Sequence, residues 1–233
     1  ADFIKVMATG GGLTPGTDSL AAQFECEELS FIVKEATRHG LPVAAHAHSP
    51  ASIQDCSNAG IRTIEHASFV TREGVRAEDA IVARLATRNA ICVPTNIPAF
   101  NAVREGRTLG LARELGITAD QFLQGRQTVV RTLIAGGVRI LAGSDAGATG
   151  VGFDSLLGEI ELLAEDPWTN LHAIAAATSQ AADCLGLSEV GRIARGSVAD
   201  LVAVHGNPAE DISALRRPVL VMRGGKIIRQ EAL

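Results

Sequence analysis

From its first residues to about residue 190 the chain alternates short apolar runs with longer stretches of helical periodicity. Phe3-Ile4-Lys5-Val6-Met7 predicts a strand buried on both faces, as the strands of parallel sheets are. Residues 42–47, 61–66 and 90–95 read as three more strands, and Val138-Arg139-Ile140-Leu141-Ala142 opens a fifth that runs into Gly143-Ser144-Asp145-Ala146-Gly147. At period two Leu141, Gly143 and Asp145 share a face, which places a buried carboxylate at that strand's carboxyl end among small neighbours. Helices are expected over about 25–39, closed by Gly40, over 50–59 behind a Ser49 cap and Pro50, and over 78–88. Further helices are expected over 119–135, 155–164 and 170–185. The mixed excursion 96–116 has the length and texture of a lid or specificity loop.

Strands and helices alternating at these lengths argue for successive βα units on a parallel sheet. Five strands fit an open doubly wound sheet or the later part of an eight-stranded barrel equally well. From Gly191 the texture changes to short strands and glycine turns, with a hairpin expected over 219–228 around Gly224-Gly225. Two units follow, a barrel portion over 1–190 and an all-β appendage over 191–233 that needs partner strands.

Composition narrows the function. The net charge is −5, the pI is near 5.7, and there is no basic run, so neither nucleic acid nor an anionic membrane is expected as a partner. Aromatics are 3% of the chain, tyrosine is absent, and the aliphatic, alanine-rich remainder suits helices packed on a parallel sheet. Cys26, Cys56, Cys92 and Cys184 are scattered without a CxxC pair and read as free thiols in a reducing, cytoplasmic setting. The chain starts with Ala1-Asp2 and enters a strand almost at once, so it reads as a piece of a longer polypeptide, and its amino end says little about targeting.

The candidate chemistry sits at strand ends. His46-Ala47-His48 puts two imidazoles on one side of a strand, a common metal-ligand arrangement that also occurs as a structural pair. His66 alone reads as a hydrogen-bonded core histidine, and Lys5 as a lysine snorkelling to solvent. Their shared position changes this. His46, His66 and Asp145 all fall at the carboxyl ends of strands, the face on which barrel enzymes carry catalytic groups. A lysine facing histidines and an acid also has a chemical reading: its neutral amine adds carbon dioxide to give an anionic carbamate. Arg104 and Arg107 in the 96–116 excursion are ordinary surface charges that also have the chemistry to meet a substrate carboxylate.

These residues carry a resemblance. Lys5 in Phe-Ile-Lys-Val, His46 in Ala-Ala-His-Ala-His, His66 in Ile-Glu-His-Ala and Asp145 in Gly-Ser-Asp-Ala-Gly resemble the amidohydrolase superfamily. The nearest branch is that of Xaa-Pro dipeptidases, N-acyl-amino-acid hydrolases and imidazolonepropionase-like proteins. Pro15-Gly16-Thr17-Asp18, Val93-Pro94-Thr95, the run 176–182 and the tail from Gly191 to Pro208 extend the likeness over essentially the whole chain.

The resemblance implies a (β/α)8 TIM barrel, with strands four to eight present here, and a small carboxy-terminal β-sandwich. It implies a binuclear centre of two divalent metal ions, zinc foremost, bridged by a carboxylated Lys5, with His46 and His66 on one metal and Asp145 on the other. It implies hydrolysis of an amide-type C–N bond in a dipeptide, Xaa-Pro or N-acyl amino acid by a metal-bridged hydroxide, with Asp145 moving the proton and His48 contacting substrate. In one respect the chain departs from the pattern: the family's first-strand HxH does not precede Lys5. The chain alone is therefore expected to be inactive or nearly so, and its unpaired strand edges favour homo-oligomers. The alternatives are a non-catalytic half-barrel acting as a scaffold and, more distantly, a phosphate-binding barrel.

Overall fold

The computed structural model describes residues 1–12, 16–165 and 167–231; Pro15 of the Pro15-Gly16-Thr17-Asp18 motif lies outside them. β1 (Ile4–Met7) leads through α1 (Cys26–Arg38) to β2 (Val43–Ala47), and α2 (Pro50–Ala59) leads to β3 (Thr63–His66). A small hairpin of β4 (Val70–Thr71) and β5 (Gly74–Val75) precedes α3 (Asp79–Thr87) and β6 (Ile91–Val93). Then come α4 (Ile97–Arg104), α5 (Gly110–Glu114), α6 (Ala119–Ala135) and β7 (Arg139–Ile140). The chain continues through α7 (Leu156–Leu163), α8 (Asn170–Ala177) and α9 (Ser179–Leu185). It closes with β8 (Leu201–Val204), a 3-10 turn (Ile212–Arg216), β9 (Pro218–Arg223) and β10 (Lys226–Gln230).

β1, β2, β3, β6 and β7 form one five-stranded sheet in that order, every pair parallel. This is the arrangement the βα alternation predicts, and it gives an α/β, barrel-like fold. The sheet's outer face carries Val43, Ala45, Ala47, Ile64, Cys92 and Ile140, all buried. They share one core with Leu29 of α1, Ile53 and Cys56 of α2, Leu85 of α3 and Leu133 of α6. A fully buried leucine or isoleucine of this kind contributes roughly 1.5–3 kcal/mol. That burial holds the strand ends, and whatever they carry, in fixed relation.

Local signals are obeyed at several ends. Thr118 and Gln121 form a reciprocal capping box at the start of α6, with Gln121 N–H donating to Thr118 Oγ1 at 3.1 Å and Thr118 N–H to Gln121 Oε1 at 2.9 Å. Gly60 ends α2 in the left-handed conformation, φ 83°. Ser49 occupies the cap position of α2, but its hydroxyl bonds Ser52 Oγ at 3.1 Å and caps nothing.

Three expectations change. β1 is not buried on both faces: Val6 is buried, whereas Phe3 and Met7 are 53% and 41% exposed and Lys5 is exposed. β1 is an edge of the sheet, and the face bearing these side chains borders cavities instead of a packed layer. The 96–116 excursion contains α4 and α5 and packs on the helical layer. The expected 170–185 helix breaks at Thr178 (φ −128°, ψ −95°) into α8 and α9. The tail forms a three-stranded antiparallel sheet, order β10-β9-β8, with its turn at Gly224-Gly225 as expected. Among the described residues no helix is long and apolar enough to cross a membrane. All four cysteines are free.

Candidate active site

Three strand exits of the parallel sheet carry a non-glycine residue in the left-handed region: His66 (φ 67°) ends β3, Thr95 (φ 54°) follows β6 and Asp145 (φ 54°) follows β7. Each such residue costs roughly 1–3 kcal/mol, and strain of this kind gathers at functional sites. At His66 the consequence is geometric. In the parallel register His46 lies beside Glu65, and His66 lies beside Ala47, which faces the sealed outer layer. Strict alternation would send the His66 ring outward. The turn at φ 67° brings it instead to 4.5 Å from the His46 ring and 5.0 Å from the His48 ring, centroid to centroid, while His46 and His48 stand 4.3 Å apart.

These rings line a cavity of about 330 Å³ at the carboxyl ends of the strands. Lys5 and Met7 from β1, with Ser68, Thr95, Arg126 and Asp145, complete its lining around the rings. Three segments contribute to the rim: Gly11 and Gly12, then Pro98, Leu109 and Leu111 of the 96–116 excursion, then Ala148 and Thr149. Arg104 and Arg107 stand outside it. Arg104 stacks on Phe100 and Arg107 pairs with Glu105. A larger groove of about 580 Å³ opens where the strands begin, but its walls hold no histidine or carboxylate. The chemistry selects the smaller cavity.

Hydrogen bonds sort the imidazole nitrogens. His46 Nε2 lies 3.1 Å from the Gly10 carbonyl, which only accepts, so Nε2 carries the hydrogen and Nδ1 keeps a lone pair. His66 Nδ1 lies 2.7 Å from Thr95 Oγ1, whose hydroxyl is 2.6 Å from the Pro94 carbonyl. A hydrogen must separate those two oxygens, so Thr95 donates to Pro94 and accepts from His66 Nδ1, which leaves the Nε2 lone pair free. Burial pushes all three imidazoles below their ordinary range, His48 and His66 well below it, so they are held neutral. Partial burial also draws the Lys5 amine down, against the opposing charges of Glu65 and Asp145.

Asp145 is the main correction to the strand reading. It is exposed and lies in a turn, not at the end of a buried strand. Ladder pairing of β7 stops with Leu141 N–H donating to the Cys92 carbonyl at 3.0 Å. Beyond it the chain runs so close to β6 that a Cβ on Gly143 would meet Val93 Cγ1 at 2.5 Å. Small neighbours were the right signal, but what they admit is Val93, not a buried acid.

Several site residues were not singled out from the sequence. Ser68, Thr95 and Arg126 buttress the histidines. Arg126 had a readable signal, since it interrupts the buried face Phe122, Leu123, Val129, Val130 and Leu133 of α6. Glu159 is its counterpart on α7, fully buried and accepting from Ile97 N–H at 2.7 Å.

The donor chemistry fits divalent cations. Two neutral imidazoles have free lone pairs, and a carboxylate and an amine drawn toward its neutral form line the same cavity. Among the described residues, no group of three or more His, Cys, Asp or Glu side chains is placed to hold a metal ion, and Lys5 as an unmodified amine does not count as such a donor.

Comparison with known proteins gives a consistent picture. The amidohydrolase family model matches residues 1–228. The ochratoxinase of Aspergillus niger is 32% identical over 236 aligned positions, which cover 98% of this chain and 46% of that protein. A crystal structure of a Xaa-Pro dipeptidase with bound methionine in the active site superimposes with a TM-score of 0.82 at 29% identity, over 98% of this chain and 55% of the other. A prolidase complexed with N-methylphosphonate-L-proline gives a TM-score of 0.82 at 29% identity, over 99% and 55%. The chain thus spans about half the length of the curated relatives it matches. With the family model matched from residue 1 to residue 228, and histidines, lysine and aspartate gathered at the strand ends, this chain belongs to the amidohydrolase family.

Proposed function

We propose that this chain carries part of the active site of a metal-dependent hydrolase that cleaves an amide-type C–N bond in a dipeptide, Xaa-Pro or N-acyl amino acid substrate. The observation that carries the reading is the convergence of the free His46 and His66 lone pairs on one cavity with Lys5 and Asp145. The names of the relatives, a Xaa-Pro dipeptidase and an ochratoxinase, support a small-molecule substrate. In this reading β1, β2, β3, β6 and β7 correspond to strands four to eight of a (β/α)8 barrel, and the tail is part of a composite β-sandwich.

His46, His66, Asp145 and a carboxylated Lys5 would hold two divalent ions, zinc foremost. When bound, such ions polarise the substrate carbonyl and lower the pKa of water. Asp145 accepts the proton of the attacking water and passes it to the leaving nitrogen as the C–N bond breaks. His48 donates from Nε2 to the carbonyl oxygen as negative charge develops on it. Lys5 contributes through its lowered basicity, because only the neutral amine adds carbon dioxide.

The test is metal analysis of the purified, zinc-incubated protein beside Lys5→Met. Bound zinc in the parent, up to the two ions of a complete binuclear site, with a clear loss in the variant, is the expected result. A folded protein that retains no metal overturns this reading. It would leave the second one, a non-catalytic scaffold, which is favoured by the lack of a ready three-donor group among the described residues.

A further inference from the structure

We propose that Ser68 and Arg126 are positioning residues that lock His48 in the tautomer whose proton sits on Nε2, toward the cavity. The inference rests on the reading of His48 as the cavity's hydrogen-bond donor, and it supplies the reason this histidine donates while its two neighbours keep lone pairs.

The three residues form a buried chain: Ser68 is 0%, Arg126 5% and His48 7% exposed. Ser68 Oγ has two partners, His48 Nδ1 at 2.8 Å and the Arg126 guanidinium. A guanidinium can only donate, so Ser68 accepts from Arg126. If His48 Nδ1 also carried a hydrogen, Ser68 would accept twice and its own O–H would be left without an acceptor among the described residues, although Ser68 is fully buried. An unsatisfied buried hydroxyl costs roughly 1–3 kcal/mol. The arrangement that satisfies every group has Ser68 donating to Nδ1, which puts the His48 hydrogen on Nε2. That nitrogen has no partner among the described residues, and its ring lines the cavity.

Arg126 is itself fixed. Its Nε donates to Asn96 Oδ1 at 3.0 Å, its Nη1 to Ser68 and its Nη2 to the Pro94 carbonyl, and Asn96 opens α4. Each of the three guanidinium nitrogens thus gives one N–H to the scaffold, which holds the group in place although Arg126 lines the cavity. The same Pro94-Thr95 corner that receives Arg126 also orients His66, so one segment sets two histidines in opposite tautomers.

The test is long-range proton–nitrogen correlation of the imidazoles in the zinc-incubated protein, with His48→Gln used to identify its signal among those of the six histidines. The expected result is a single His48 tautomer protonated on Nε2, a mixture of tautomers in Ser68→Ala, and restoration in Ser68→Thr. In the active protein kcat should fall in Ser68→Ala by roughly tenfold to a hundredfold, less than the roughly 100–1,000-fold loss of a deleted donor, with KM little changed. A His48 protonated on Nδ1 in the parent overturns the proposal, as does an unchanged tautomer in Ser68→Ala. A rise in KM confined to carboxylate substrates also overturns it, in favour of direct carboxylate pairing. Should Ser68→Ala fail to fold, the parent and Ser68→Thr spectra still decide. A locked tautomer in a protein that binds no metal defeats the functional reading alone; a metal-loaded, active protein with Nδ1–H defeats the lock alone.

Discussion

His46 and His66 stand with ring centroids 4.5 Å apart, although the sheet's register sets His66 beside Ala47 and Glu65 beside His46. The left-handed backbone at His66 converts an outward position into an inward one. It leaves Glu65 lower on the inner face, where it accepts from Thr63 Oγ1 at 2.7 Å and its charge reaches Lys5. The candidate site is therefore built partly by strand alternation, which places His46, and partly by strain, which places His66.

Thr95 holds the His66 tautomer, so under the proposed function Thr95→Val should weaken metal binding while the His66 ring itself remains. Loss of an outer-shell hydrogen bond of this kind typically costs 10–100-fold in affinity. A competition titration against a chelator reads the effect, and an unchanged affinity would show that Thr95 does not orient His66.

Gly143→Ala should destabilise the fold next to the site, because the new Cβ would lie 2.5 Å from Val93 Cγ1. Overpacking of this kind costs roughly 1–3 kcal/mol. Adding Val93→Ala should recover part of the loss by removing the methyl groups it strikes. Denaturant midpoints of the single and double variants check this, and a single variant as stable as the parent contradicts the close approach.

Glu159 should give the protein a distinct pH response. Burial pushes its carboxyl up from 4.5 to about 7, against the pull of backbone N–H groups and Arg126. The folded state thus holds a proton that the unfolded chain has released between those two values. The stabilising effect of that proton is complete below pH 4.5 and is lost as the pH rises through about 7. Glu159→Gln, which stays neutral, should remove this slope, with the difference between parent and variant changing by up to about 3 kcal/mol across the window. Equal pH dependence in the two proteins would falsify the assignment.

Cys56 and Cys92 should resist alkylation in the native state. Burial drives both thiols up to about 12, and each is 0% exposed. Cys26, only partly buried, should label first. Peptide mapping after brief iodoacetamide treatment distinguishes them, and early modification of Cys92 would mean that the sheet opens.

Much of the architecture was readable because it rests on local periodicity. The βα alternation predicts the five parallel strands, the Thr118-led helix appears with the bounds 119–135, and Gly224-Gly225 turns a real hairpin. Failures came where a neighbour overrides the local pattern. Apolar composition could not say that β1 is an edge with an open face, nor that the β7 ladder would end at Leu141 and leave Asp145 in an exposed turn.

By itself, the sequence determined which residue types stand at the strand exits: Lys5, His46, His48, His66 and Asp145, in an order and spacing that point to one family. Those are facts of order along the chain, and periodicity carries them. Only the tertiary structure decided how they meet. The inward turn of His66, the opposite tautomers of His46 and His66, and the Ser68–Arg126 support all depend on groups from different elements touching one another. Residues such as Arg126 and Ser68 lie 58 positions apart, and a hydrogen bond between them has no trace in local sequence until the sheet brings them together.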